Sequence, residues 1–117
     1  MLERLEASAW LGFDVPDVVR HELQFEEVLG VIDAVYEYTP AAFTNGATQN
    51  EAGQNVGSCK LLGWALLRGL SREEVLRAFG QHYRDLDPEG TSHPNIRAVM
   101  EHGLDKVVFA SPPLTRR

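Results

Sequence analysis

One cysteine, Cys59, sits near the end of a run dense in groups able to hold or attack a polar ligand: Asn50-Glu51-Ala52-Gly53-Gln54-Asn55-Val56-Gly57-Ser58-Cys59-Lys60. Loops use Gly and Asn for backbone conformations that other residues resist, but they seldom need this many side-chain amides as well. Ser58 is placed to be the N-cap of a helix that begins at Cys59. There the helix dipole, the free N–H groups and the neighbouring Lys60 would stabilise a thiolate and make Cys59 a nucleophile. Such a nucleophile needs a base. His93, in Thr91-Ser92-His93-Pro94-Asn95, is the catalytic candidate, with His82 and His102 as the other histidines to weigh and Glu51 or Asn95 as orienting groups. The plainer reading of Cys59 is a small buried apolar side chain, since free Cys is among the most buried residue types.

The same run supplies a candidate binding set: Asn50, Glu51, Gln54, Asn55, Ser58 and Lys60, joined by Asn95. Amides and backbone N–H groups that converge at a helix N-terminus can hold an anion or a developing oxyanion. The competing reading is that these amides tie the loop to itself. The histidines lack the i, i+4 spacing of a helical zinc pair, so no metal site and no cofactor is expected. Neither a P-loop nor Gly-x-Gly-x-x-Gly nor Gly-x-Ser-x-Gly occurs, which leaves nucleotide-binding and α/β-hydrolase readings without support.

The elements that must position these groups follow from hydrophobic spacing. Phe25, Val28, Leu29, Ile32, Val35 and Tyr36 lie on one helical face and predict a helix over 24–38, which Pro40 forces to end. Asn45-Gly46 predicts a hairpin with a type I′ turn. The helix from Cys59 reads as apolar nearly all round, hence central and buried, with Gly69 as its stop. Ser71-Arg72-Glu73-Glu74 is a capping box, flanked by Leu70 and Val75 at the spacing of a hydrophobic staple, and predicts a helix to about Arg84. A short helix follows Ser92 or His93, with Pro94 in its first turn, Ile96, Val99 and Met100 facing inward, and Gly103 past its end. Lys106 to Ala110 reads as a strand. The expected fold is a helix-rich α+β single domain of four to five helices, with a small antiparallel sheet made of the hairpin plus the C-terminal strand. Residues 1–23 read as an N-terminal arm, 24–110 as one globular domain and 111–117 as a flexible tail.

Length and charge bound the partners. A chain of 117 residues suits one domain with a real core. A net charge of −6 disfavours nucleic acid and an anionic membrane surface. No run approaches the length of a membrane helix. The N-terminus lacks the pattern of a secretory signal, and Trp10, Leu11 and Phe13 read as side chains docked on the domain's own core. One cysteine cannot form an internal disulfide, so a reducing compartment is expected.

Phe43-Thr44-Asn45-Gly46, the 50–60 run, Phe79-Gly80 with Tyr83-Arg84, Pro88-Glu89-Gly90-Thr91, His93, Asn95-Ile96-Arg97 and His102-Gly103 together resemble the HopJ family, from about Phe25 to Phe109. That family is labelled type III effector proteins, from plant-pathogenic pseudomonads and other Gram-negative bacteria. The resemblance implies a bacterial protein of unknown biochemical activity, in the cytoplasm or secreted into a host cell, and it assigns no catalytic residue. Three readings stay open. One is an effector delivered into a host cell that binds a partner there through the polar loop. The second is a small acyl- or amide-transfer enzyme using Cys59 and a histidine. The third is a non-secreted module for a small molecule or peptide. The partner and the oligomeric state are left unassigned.

Overall fold

The computed structural model describes residues 24–87, 89–90 and 92–117. The expectations for the 1–23 arm, including Trp10, Leu11 and Phe13, fall outside the described residues.

Helix α1 spans Phe25–Val35 and buries Val28, Val31, Ile32 and Val35, the face that its spacing predicts. Its first turn is closed from both sides. Glu27 Oε1 accepts from the Gln24 N–H at 2.9 Å, and Gln81 Oε1 accepts from the Phe25 N–H at 2.8 Å. The helix stops three residues earlier than expected, because Tyr36–Tyr38 is strand β1. The cause is long-range pairing: β1 lies antiparallel to β5, Leu114–Arg116, with Tyr38 opposite Leu114. Bonds from Thr39 N–H to Pro113 O (2.8 Å) and from Arg117 N–H to Val35 O (2.9 Å) extend that ladder at both ends. Residues 111–117, expected as a flexible tail, therefore carry a paired strand whose Leu114 is buried.

β2 (Phe43–Asn45) and β3 (Thr48–Asn50) form the predicted hairpin, and β4 (Val107–Phe109) adds to the far edge of β2. The turn is framed one residue later than expected. Asn45 pairs with Thr48, so the two-residue loop is Gly46-Ala47. Of those two, Gly46 alone has positive φ, at 62°. A positive φ at the first loop position only is the type II′ pattern rather than I′. Asn45 is drawn into the strand because its side chain is anchored in the interior.

Helix α2, Val56–Arg68, starts three residues before the predicted Cys59; its N-cap is Asn55 rather than Ser58, and its C-cap is Gly69. It is the central helix, but its last turn leaves Leu66 and Leu67 exposed. Glycines let it be approached closely. A Cβ at Gly57 would lie 2.7 Å from the Phe25 ring, and one at Gly63 would lie 2.8 Å from Pro113 Cγ. Helix α3, Arg72–Ala78, has the predicted capping box, with Glu74 N–H donating to Ser71 Oγ (3.2 Å) and Ser71 N–H to Glu74 Oε1 (2.8 Å). The predicted run to Arg84 is broken at Gly80, whose φ is 63°, and resumes as the short helix α4, Gln81–Arg84. Helix α5, Pro94–His102, buries Ile96 and Val99 but leaves Met100 exposed.

Ile32, Leu61, Leu62, Val75, Phe79 and Ile96 meet in one core. Each such side chain contributes roughly 1.5–3 kcal/mol of burial energy. The result is one α+β domain of five helices and two small antiparallel sheets among the described residues.

Candidate functional site

All four asparagines of the chain belong to one hydrogen-bonded network. Asn45, Asn50 and Asn95 are buried. Asn95 Nδ2 donates to Asn50 Oδ1 at 3.0 Å. Asn95 Oδ1 accepts from Asn45 Nδ2 at 3.1 Å and from Asn50 Nδ2 at 3.4 Å. Asn45 Nδ2 also reaches Asn95 O at 3.0 Å, and Asn50 Nδ2 reaches Phe43 O at 3.3 Å. Asn55 joins from the start of α2, its Nδ2 donating to Asn50 Oδ1 at 2.6 Å. Buried polar groups persist only when paired, and these amides pair chiefly with one another. The network thereby bolts the β2–β3 hairpin to the N-termini of α2 and α5. One atom is left over: Asn45 Oδ1 is buried without a partner among the described residues.

The two helix starts bolted by this network face a common cleft of about 230 Å³. Asn55, Gly57 and Ser58 line it from α2, and His93, Pro94, Asn95 and Ile96 from α5. Phe25, Phe79 and His82 complete the wall. Asn55 and His93 are the non-glycine residues of positive φ among the described residues, at 52° and 53°. Each is the N-cap of its helix, and neither gives its helix a side-chain cap. The first-turn N–H groups of an α-helix have no intrahelical acceptor. In α5 the N1 position is Pro94, which has no N–H to satisfy.

The wall opposite the helix starts is aromatic. Phe25 stacks on Phe79 with centroids 5.7 Å apart, meets His82 edge-on at 5.1 Å, and His82 lies 5.2 Å from the His93 ring. Gly57 permits this wall, because any larger residue would strike Phe25. His82 is also held from outside by Glu26, Nε2 to Oε2 at 3.9 Å. Hydrogen bonds from its own backbone N–H and from Gln81, with His82 nearby, hold the Glu26 carboxyl below its ordinary range. Gln81 Nε2 supplies that bond at 3.0 Å while its Oε1 caps α1, so one side chain fixes α4, and with it His82, against α1. On the other side of the cleft Arg97 steadies the loop before α5, donating to Ser92 O (2.5 Å) and Asp87 O (2.7 Å).

The structure divides the expected site residues into separate places. Asn50, Asn55 and Asn95 come together in the network, and Asn55, Ser58, His93 and Asn95 share the cleft. Gln54 and Glu51 close a turn on themselves, Glu51 N–H to Gln54 Oε1 at 2.9 Å and Gln54 N–H to Glu51 O at 2.9 Å. They line a separate groove over the sheet with Thr44, Gln49 and Val108. Lys60 pairs with Asp33 of α1 at 3.0 Å and lies over the Tyr38 ring at 5.2 Å. His102 sits at the other end of α5, beneath the hairpin turn at Gly46.

Cys59 does not line the cleft that holds His93. It is fully buried, and its Sγ faces Ala41 O at 3.8 Å. The earlier helix start puts Cys59 beyond the free first turn, so its own N–H is spent on Asn55 O at 2.9 Å. Burial pushes its thiol above the ordinary range, which fits the plainer reading of a small buried side chain and not the stabilised thiolate. Burial likewise raises the neighbouring Tyr38 phenol, and the Cys59 thiol beside it adds to the rise. Sequence reasoning did not assign Phe25 or Phe79 to a site. Their only signal was apolar spacing, which also describes an ordinary core.

Among the described residues no group of three or more His, Cys, Asp or Glu could hold a metal ion, and no helix is long and apolar enough to cross a membrane. No curated protein matches the chain. The crystal structure of an unknown function protein, VPA0580, shares the fold with a TM-score of 0.83 at 39% identity, over 97% of this chain and 95% of that one. The family model for the HopJ type III effector protein matches residues 17–114, a span that holds the asparagine network, the cleft and every described element up to the first residue of β5. The chain belongs to the HopJ type III effector protein family.

Proposed function

We propose that this HopJ-family protein acts by binding, and that its ligand is a small aromatic anion, an aryl carboxylate or aryl phosphate, held in the cleft between the starts of α2 and α5. The observation that carries this reading is the placement of Asn55 and His93, the non-glycine positive-φ residues among the described ones, in the lining of one cleft. Strained backbone of this kind costs about 1–3 kcal/mol per residue and tends to cluster at ligand sites. The chemistry of the walls names the ligand class. Helix N-termini and the Ser58 hydroxyl favour a negative group. Phe25, His82 and His93 offer faces and edges to a flat ring.

Cys59 takes no part in this reading, because a fully buried thiol with a raised pKa is a poor nucleophile. The family name supports delivery by type III secretion, for which a reporter fused to residues 1–21 is the direct assay. Ligand binding is tested by thermal unfolding with benzoate, phenyl phosphate, benzyl alcohol and acetate. The two ring-bearing anions should raise the melting temperature in a concentration-dependent way, and the ring or the anion alone should do so far less. Equal shifts from all four, or none from any, would remove the proposal.

A further inference from the structure

We infer that the Asn45-Gly46 pair is a deamidation site that folding holds closed, so that the chain carries a one-way chemical trap released by opening of the β2–β3 hairpin. Asn followed by Gly is the sequence most open to this reaction, since no Cβ shields the attacking amide. The Gly46 nitrogen loses its proton and attacks Asn45 Cγ. A C–N bond forms, the Cγ–Nδ2 bond breaks, and ammonia leaves with the proton it needs. Water then opens the succinimide to Asp or isoaspartate.

Four features of the fold oppose that sequence. The nucleophile is occupied: Gly46 N–H donates to Lys106 O at 3.2 Å. The electrophile is anchored: Asn45 is fully buried in β2, its Nδ2 bonded to Asn95 O and Asn95 Oδ1 at 3.0 and 3.1 Å. Ring closure needs the Asn45 peptide turned out of the extended conformation that pairing with Thr48 and Val107 imposes. The fourth feature is the orphan oxygen. Attack at Cγ places negative charge on Asn45 Oδ1, and that atom is buried without a donor. An oxyanion with no hydrogen bond in a dry interior is strongly disfavoured.

The product cannot re-enter the fold on the same terms. A carboxylate at position 45 would face Asn95 O and Asn95 Oδ1, both acceptors, where an amide N–H₂ now donates. A buried, unpaired charge is among the few single changes large enough to unfold a domain. Isoaspartate adds a backbone methylene where Asn45 pairs with both Thr48 and Val107. Opening thus exposes the site, and reaction blocks closing.

The purified full chain is incubated at mildly alkaline pH with and without denaturing urea, and amide loss at each asparagine is followed by peptide-mapping mass spectrometry. In urea Asn45 should react first, ahead of Asn50, Asn55 and Asn95, which precede Glu51, Val56 and Ile96. Without urea its rate should fall at least about tenfold, the protection that local opening free energies provide. After urea is removed, the unreacted fraction should regain the native melting transition and the reacted fraction should not, and Asn45→Asp should match the reacted fraction. Equal rates with and without urea, or reacted protein that refolds to the native melting temperature, would overturn the inference.

Discussion

Asn55 does not cap the helix it begins: its side-chain amide turns sideways and donates to Asn50 Oδ1 at 2.6 Å. An Asn at an N-cap ordinarily accepts from the first-turn N–H groups. Here that service goes to the buried network, and the start of α2 is left open toward the cleft. His93 leaves the start of α5 in the same condition. Two helix ends are therefore held in place by asparagines without being closed by them.

If the network holds the hairpin to both helices, its centre should matter most. Asn95 touches Asn45 and Asn50 at once. Asn95→Ala leaves several buried amide groups unpaired and should cost about 3 kcal/mol. Urea unfolding monitored by circular dichroism would read this as a lower midpoint with an unchanged slope. A loss under about 0.5 kcal/mol, the range of an ordinary surface change, would mean the network contributes little.

The positive φ of Asn55 separates two substitutions that both delete its hydrogen bond. Gly adopts that conformation freely, whereas Ala resists it. Asn55→Ala should be less stable than Asn55→Gly by about 1 kcal/mol, measured by the same unfolding curves. Equal stabilities would mean that the αL geometry is not held in solution.

Gly57→Ala tests the packing that shapes the cleft. The new methyl would sit 2.7 and 2.9 Å from Phe25 Cε2 and Cζ, inside van der Waals contact. Overpacking of this kind costs about 1–3 kcal/mol, and Phe25 must move off Phe79 or off His82 to relieve it. The expected signature is a lower melting temperature with shifted His82 ring resonances.

Cys59 gives a pH dependence with a definite sign. Burial raises the folded thiol's pKa, so folding favours the protonated form. Above about 8.5, where a free thiol ionises, the unfolded chain binds fewer protons than the folded one. Stability is accordingly flat below that pH and falls as pH rises through the folded pKa. Comparing wild type with Cys59→Ala across alkaline pH should show a steeper decline for wild type. In the folded protein a small haloacetamide should modify Cys59 only as fast as the domain opens.

Much of the fold was legible because local signals sufficed. The capping box at Ser71 and Glu74, the glycine stops at Gly69 and Gly103, and the apolar face of α1 each depend on residues within a few positions. β1 was read as helix because Tyr36 continues the helical pattern; only its pairing with Arg116 reveals a strand. The start of α2 was misplaced because Ser58 and Asn55 are equally good caps by residue type, and nothing local shows that Asn55 begins the helix from the αL conformation. The site was half legible. Residue type marked Asn50, Asn55, Ser58, His93 and Asn95, but nothing local could reveal that Asn45 and Asn50 of the hairpin bond to Asn95 of α5. For Cys59 residue type allowed both a first-turn thiolate and a buried side chain, and the earlier helix start decides for the buried one.

The most direct test of the central claim is an amide ¹H–¹⁵N chemical-shift titration of the full chain with benzoate. The account predicts saturable shifts centred on Gly57, Ser58, Asn95 and Ile96, with the Phe25 and His82 rings perturbed in parallel, and the sheet groove around Thr44 and Gln49 unaffected. Shifts that do not saturate, or that centre on the sheet groove, would contradict it.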